Sequence, residues 1–388
     1  MAYTQKLSLT GLANLNKFKI YQAGFSMSAP AREIIVEEHN RARVITLNRP
    51  KALNALNLPM VREIYPKLKE WNTSDNVDLI VVKSNIEKAF CAGGDVLAVV
   101  RSYKSALQGG DCTIYKDFFR EEYTMNHLIG TLQKPYVSLI NGIVLGGGCG
   151  LSVNGKFRVA TEKTMLAMPE TALGLFPDVG GSYFLSRLKG NLGMYLALTG
   201  HRLLGADTLH AGLATHYVET KDLPALEKKL LSLENASEKT VDSTIREFEP
   251  KNIPEFTLAP HLEDIATIFK AIDVEQIVES LEKHNTEWSK KTLATLSKMS
   301  PTSLKITHKQ LLEGAKLSYS KIFNMEYRLT QRCLADHDFH EGCRAILVDK
   351  DRNPKWQPST LQDVKQSTVD AYFKPLADEE ELELKSNL

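Results

Sequence analysis

Two glycine-rich turns and a handful of acidic side chains carry most of the chemistry this sequence offers. The first turn is Phe90-Cys91-Ala92-Gly93-Gly94-Asp95, placed after the apolar run LIVVKS (79–84) and before a helix-like stretch. The second is Gly146-Gly147-Gly148, entered from Tyr136–Ile140 and left by a short apolar segment with helical spacing. Glycine lets a backbone N–H approach a ligand unshielded. A helix start adds partial positive charge at the same place. Each turn alone reads as a plain bend, Asp95 being the cap of the helix after the first. Together they can each offer one N–H to a single oxygen that gains negative charge.

Glu170 and Asp178 follow in a stretch with too much Gly and Pro for one helix. Glu170 comes directly after the apolar run TMLAM (164–168), with Met168, Pro169 and Leu173 beside it. Partial desolvation there would raise its pKa and suit it to proton transfer near neutral pH. Its plain alternative is a surface turn carboxylate. Asp178 precedes an apolar segment containing Tyr183, Phe184 and Leu188, so it reads equally as a helix cap and as a substrate contact. Glu122 fills a gap in an apolar stripe of a helix over 113–132, formed by Tyr115, Phe118, Met125, Ile129 and Leu132. A carboxylate on a buried face must be paired or used; spacing alone favours a core ion pair with an arginine over a pocket wall. An oxyanion-binding pair of turns with acids nearby is a minimal set for acyl chemistry.

The elements that position these groups alternate. Strand-like runs at 33–38, 43–48, 79–84, 136–140, 157–160 and 164–168 are separated by helix-like stretches near 58–72, 95–107, 113–132 and 179–198. That alternation predicts an α/β fold with largely buried, parallel-leaning strands. After about residue 220 the strand signal fades into helices, such as 222–235, 261–284 and 301–335, with a Pro-rich connector at 248–260. The expected organisation is a leader or disordered tail at 1–32, an α/β core at 33–220, and a helical region with an acidic tail at 221–388.

Composition excludes several functions. The chain has 388 residues, a net charge of +1 and no apolar run long enough to span a bilayer. Neither a nucleic-acid partner nor membrane insertion has support. Five cysteines, odd in number and without a CxxC pair, suggest a reducing compartment. The first thirty-two residues contain Lys6, Lys17, Lys19 and Arg32 and no acid. They fit a mitochondrial transit peptide, or else a disordered tail. Ser386-Asn387-Leu388 only loosely resembles a peroxisomal ending. Two further patterns are weak. Gly150-(x4)-Gly155-Lys156 is followed by Phe157 where a P-loop needs Ser or Thr, and Asp336–Glu341 lacks an i, i+4 His pair on one face.

NRPKALNALN (48–57), AFCAGGD (89–95), NGIVLGGGCG (141–150) and PETALGLFPDVGGS (169–182) are similar to motifs of the crotonase (enoyl-CoA hydratase/isomerase) superfamily. The resemblance covers roughly 33–218 and returns near 301–356. It implies a spiral of β-β-α turns followed by an α-helical region, and an acyl-CoA thioester as substrate. It implies oxyanion donors at Ala92, or a neighbour in Ala92–Gly94, and at Gly147, with Gly93, Gly94 and Gly146 beside them. Lys51, Ala52 and Leu53 match the segment that packs against CoA. Many relatives assemble through their C-terminal helices, so the resemblance allows a homo-oligomer without settling the state; the charged segment near 222–300 could block or alter that assembly. No metal or redox cofactor is implied.

One departure bears on the chemistry. Hydratases of the family carry a glutamate two residues after the glycine turn, where this chain has Gly150. Only Glu170 remains of the pair, and Asp178 stands where many hydratases have glycine. That pattern, with FFREEY, GKFRVATEKT and PETALGLFPDVGGSYFLSRL, resembles the branch that hydrolyses 3-hydroxyacyl-CoA thioesters, with 3-hydroxyisobutyryl-CoA of valine breakdown as first candidate. In that branch the positions of Glu122, Gly147, Glu170 and Asp178 contact substrate. The rival expectations are a hydratase or isomerase with one catalytic acid, and a non-catalytic acyl-CoA-binding protein.

Overall fold

Among the described residues ten strands form two sheets. They are β1 (Ile34–His39), β2 (Ala42–Leu47), β3 (Leu79–Ser84), β4 (Ala89–Cys91), β5 (Tyr136–Ile140), β6 (Ile143–Leu145), β7 (Phe157–Ala160), β8 (Met165–Ala167), β9 (Leu203–Leu204) and β10 (His216–Tyr217). The computed structural model describes residues 32–384. Nearly all of the expected leader, and the Ser386-Asn387-Leu388 ending, lie outside them.

The six-stranded sheet runs β1-β2-β3-β5-β7-β10 and the four-stranded one β4-β6-β8-β9. All neighbours pair in parallel except β1–β2 and β8–β9. The consecutive pairs β3–β4, β5–β6 and β7–β8 each give one strand to each sheet. Helices fill the returns, so the chain winds as a spiral of β-β-α turns. Helices then follow to the end, from Leu223–Leu231 to Gln366–Phe373.

The larger sheet is covered on both faces, which is why its strands read as near-continuous apolar runs. β2 and β5 are buried at every position. Alternate side chains serve two cores. Val44, Val81, Val137 and Val159 meet Leu226, Leu230, Val241 and Ile245 from helices Leu223–Leu231 and Glu238–Arg246. Ile45, Ile80, Val82 and Ile140 face the main core. All five cysteines are free.

The expected helix over 179–198 is broken. Only Gly181–Phe184 and Leu192–Thr199 are α-helical, because Leu188 is extended and Gly190 and Asn191 are left-handed. The runs at 261–284 and 301–335 each divide into two helices, Leu262–Ile268 with Val274–His284 and Pro301–Gly314 with Tyr319–Ala335.

Candidate active site

β4, β6 and β8 are adjacent parallel strands, so their C-terminal ends open side by side. β4 leads into Ala92–Gly94, β6 into Gly146–Gly147, and β8 into Pro169–Glu170. Gly146 has φ +42° and ψ −112°, a conformation open to glycine, and starts the short helix Gly147–Ser152. The approach is close. A β-carbon added to Gly147 would lie 3.0 Å from the Gly94 nitrogen and 2.8 Å from Glu122 Oε1; one added to Gly146 would lie 2.6 Å from Glu170 Oε1.

Backbone bonding narrows the first donor. The Ala92 N–H donates to the Leu53 carbonyl at 3.1 Å, so the expectation of a free donor at Ala92 gives way to its neighbours. Among the described residues the N–H groups of Gly93, Gly94 and Gly147 have no acceptor. Gly94 is the one facing Gly147. The 48–57 segment is tied to this turn: Leu56 donates to Gly93 O, and Asp95 donates to Leu56 O. Lys51, Ala52 and Leu53 sit in that brace and do not line the cavity below.

A cavity of about 570 Å³ joins the parts. Ala92, Gly93, Gly94, Gly146, Gly147, Glu122, Glu170 and Asp178 all line it, with Phe118, Phe119 and Leu145 as apolar wall. Its outer part carries Met299, Ile346, Leu347 and Pro354, and the exposed cations Arg202, Lys298 and Arg352. Helices C-terminal to the strands therefore complete the site.

The acids are buried: Glu122 is 1%, Asp178 4% and Glu170 5% exposed. Among the described residues Glu122 Oε1 and Glu170 Oε2 have no hydrogen-bond partner, and no arginine pairs with Glu122. Burial, and then the charge of Asp178, push both glutamates well above the usual carboxylate range. Asp178 rises through burial to about 6, restrained by a 2.6 Å hydrogen bond from the Tyr123 hydroxyl. Its carboxylate makes no helix cap. Asp95 does cap, accepting from Ala98 N–H at 3.2 Å.

Three buried groups escaped the sequence reading. Tyr123 holds Asp178. Asn126, fully buried, has both amide atoms unpartnered. Glu326, on helix Tyr319–Ala335, accepts from Gly180 N–H at 2.8 Å and Ser182 N–H at 2.9 Å. Burial raises its carboxyl to about 8, against the pull of those donors. The signal that found Glu122 was present again: Glu326 interrupts the stripe Ile322, Leu329, Cys333. In the Asp336–Glu341 cluster Asp338 bonds Ser300 and His337, and His340 Nε2 bonds Leu334 O, while His340 Nδ1 has no partner among the described residues. Among the described residues no group of three His, Cys, Asp or Glu side chains could hold a metal ion, and no helix is long and apolar enough to cross a membrane.

Two bare amides, one glutamate at a strand end and a spiral of β-β-α turns define a class. The enoyl-CoA hydratase/isomerase family pattern matches residues 42–373, and this chain belongs to that family. Solved structures agree. A carnitinyl-CoA dehydratase from Mycobacterium thermoresistibile is 35% identical with TM-score 0.83, covering 92% of this chain and 99% of its own. An enoyl-CoA hydratase from Rhodobacter sphaeroides is 34% identical with TM-score 0.80, covering 91% and 100%. Within the family, the mitochondrial 3-hydroxyisobutyryl-CoA hydrolase of Danio rerio is 50% identical over 366 residues, 93% of this chain and 94% of that protein. The Homo sapiens protein of the same name is 48% identical over 350 residues, 89% of each.

The second hydratase glutamate has no room here. A β-carbon on Gly150 would stand 2.8 Å from Val179 Cβ and 2.9 Å from Asn126 Nδ2. Gly150→Glu is expected to cost about 1–3 kcal/mol or more by overpacking and to add no hydration of crotonyl-CoA. A melting curve and the enoyl absorbance check both; gained hydration would show that only the missing side chain separates the two chemistries.

Proposed function

We propose that this chain hydrolyses 3-hydroxyisobutyryl-CoA to 3-hydroxyisobutyrate and CoA. One observation carries the reading: Glu170, with one oxygen unpartnered, stands at a strand end beside the two bare amides, and Gly150 leaves no acid at the position where hydratases carry their other glutamate. The names of relatives about half identical to this chain support the acyl group.

The thioester oxygen sits between the N–H groups of Gly94 and Gly147. Addition at the carbonyl carbon moves charge onto that oxygen, where the two donors are already in place. Glu170, as carboxylate, supplies the attack. It either takes a proton from the water that adds, or adds itself and is freed by water afterwards; both routes consume one water and release CoA as the thiol. A single turnover in ¹⁸O-water identifies the second route by label in the enzyme, which enters when water opens the anhydride at the glutamyl carbon. Arg202, Lys298 and Arg352, exposed at the outer cavity, supply charge for the CoA phosphates. Relatives named as mitochondrial and the acid-free basic start of the chain support a mitochondrial address.

Asp178, held by Tyr123, accepts a hydrogen bond from the substrate's 3-hydroxyl. A bond to a charged acceptor contributes about 1.5–3 kcal/mol, so Asp178→Asn should lower kcat/KM for 3-hydroxyisobutyryl-CoA by about 10–100-fold more than for isobutyryl-CoA. Equal losses on the two esters would remove hydroxyl recognition from Asp178. The experiment that tests the function itself is thiol release across a panel of acyl-CoA esters, with the 3-hydroxyisobutyryl ester expected first.

A further inference from the structure

We infer that Glu326 is a positioning residue for this reaction: by taking the amides at the start of the helix after Asp178, it leaves the Asp178 carboxylate free for the substrate. This rests on the function proposed above. The turn Pro177–Ser182 is strained. Val179 has φ +50°, which a β-branched residue rarely adopts, and Gly180 has φ +96°. Such a backbone persists only when its surroundings over-determine it.

The surroundings come largely from the C-terminal helices. Gln310 donates to Pro177 O at 2.6 Å and to Ser182 Oγ at 2.8 Å. Asn154 donates to Val179 O at 2.9 Å. Glu326, with no exposed surface, uses both carboxylate oxygens, one on Gly180 N–H and one on Ser182 N–H.

Gly180 N–H lies two residues after Asp178, where an aspartate side chain commonly accepts in an Asx turn, and Ser182 N–H is the second amide of the helix capped at Gly180. Here Asp178 points elsewhere, into the cavity and onto Tyr123. A carboxylate from a distant helix does the capping instead. Without it, Asp178 has an attractive alternative: to fold back on its own turn and abandon the 3-hydroxyl.

The test compares the full chain with Glu326→Gln and Glu326→Asp on 3-hydroxyisobutyryl-CoA and isobutyryl-CoA. In Glu326→Gln the ratio of the two kcat/KM values is expected to fall by about tenfold or more, through the hydroxylated ester. Glu326→Asp, one methylene shorter, reaches one amide and should fall between. A merely structural role would lower both esters together, so an unchanged ratio overturns the inference. If Glu326→Gln does not fold, Glu326→Asp decides by the same ratio. A wild-type chain with no preference for the hydroxylated ester would instead overturn the proposed function, which keeps the two failures apart.

Discussion

Glu170→Gln is expected to keep CoA-ester binding and to lose turnover by about 10²–10⁴-fold, the usual weight of a positioned acid–base group. The amide keeps the shape of the carboxyl and can neither take a proton from water nor add to the thioester. The other two acids are placed differently: Glu122 lies beside Gly147, on the oxyanion side of the cavity, and Asp178 is engaged with Tyr123. Thiol release measures the loss, and the rise in melting temperature on adding CoA shows that binding survives. Turnover within a few-fold of wild type would take Glu170 out of the cleavage. The pH profile carries the same argument. Glu170 works as carboxylate, so protonation abolishes activity on the acid side. Burial and then the Asp178 charge raise its pKa, so the acid limb should lie above the ordinary glutamate value of about 4.3. Removing that charge in Asp178→Asn favours the ionised glutamate and should move the limb to lower pH.

Gly147→Pro should cut turnover by about 10²–10³-fold, the cost of losing one oxyanion donor. Gly147 is the first residue of its helix, a position where proline is tolerated and the N–H has no partner within the helix. The change therefore deletes the donor at a place where the fold does not use it. Crowding adds to the effect, since even a β-carbon would reach within 3.0 Å of the Gly94 nitrogen. The measurement is single-turnover thiol release, with a melting curve to show that the helix still forms. If an intact, folded variant released thiol at the wild-type rate, the oxyanion would have to be held elsewhere.

Much of this site was legible in order of residues alone. β3, β5 and β8 stand out as apolar runs because both their faces are covered. The two glycine turns stand out because close backbone approach excludes side chains. β4 and β6 escaped notice, being three residues each and embedded in the very turns they deliver. The break in 179–198 escaped because left-handed residues at Gly190 and Asn191 leave the apolar spacing untouched.

By itself the sequence determined which groups are available: two unshielded turns, one glutamate where the family's hydratases have two, and glycine at 150. These are matters of residue identity and local pattern, and local pattern suffices where burial and backbone freedom are at issue. Tertiary structure decided which groups are free to act. Leu53 occupies the Ala92 amide, Tyr123 holds Asp178, and Glu326 takes the Gly180 amide that lies two residues after Asp178. Each of those choices is a hydrogen bond between segments far apart along the chain. Such a partner exists only once the spiral has closed and the helices have packed against it, so no window of sequence contains it.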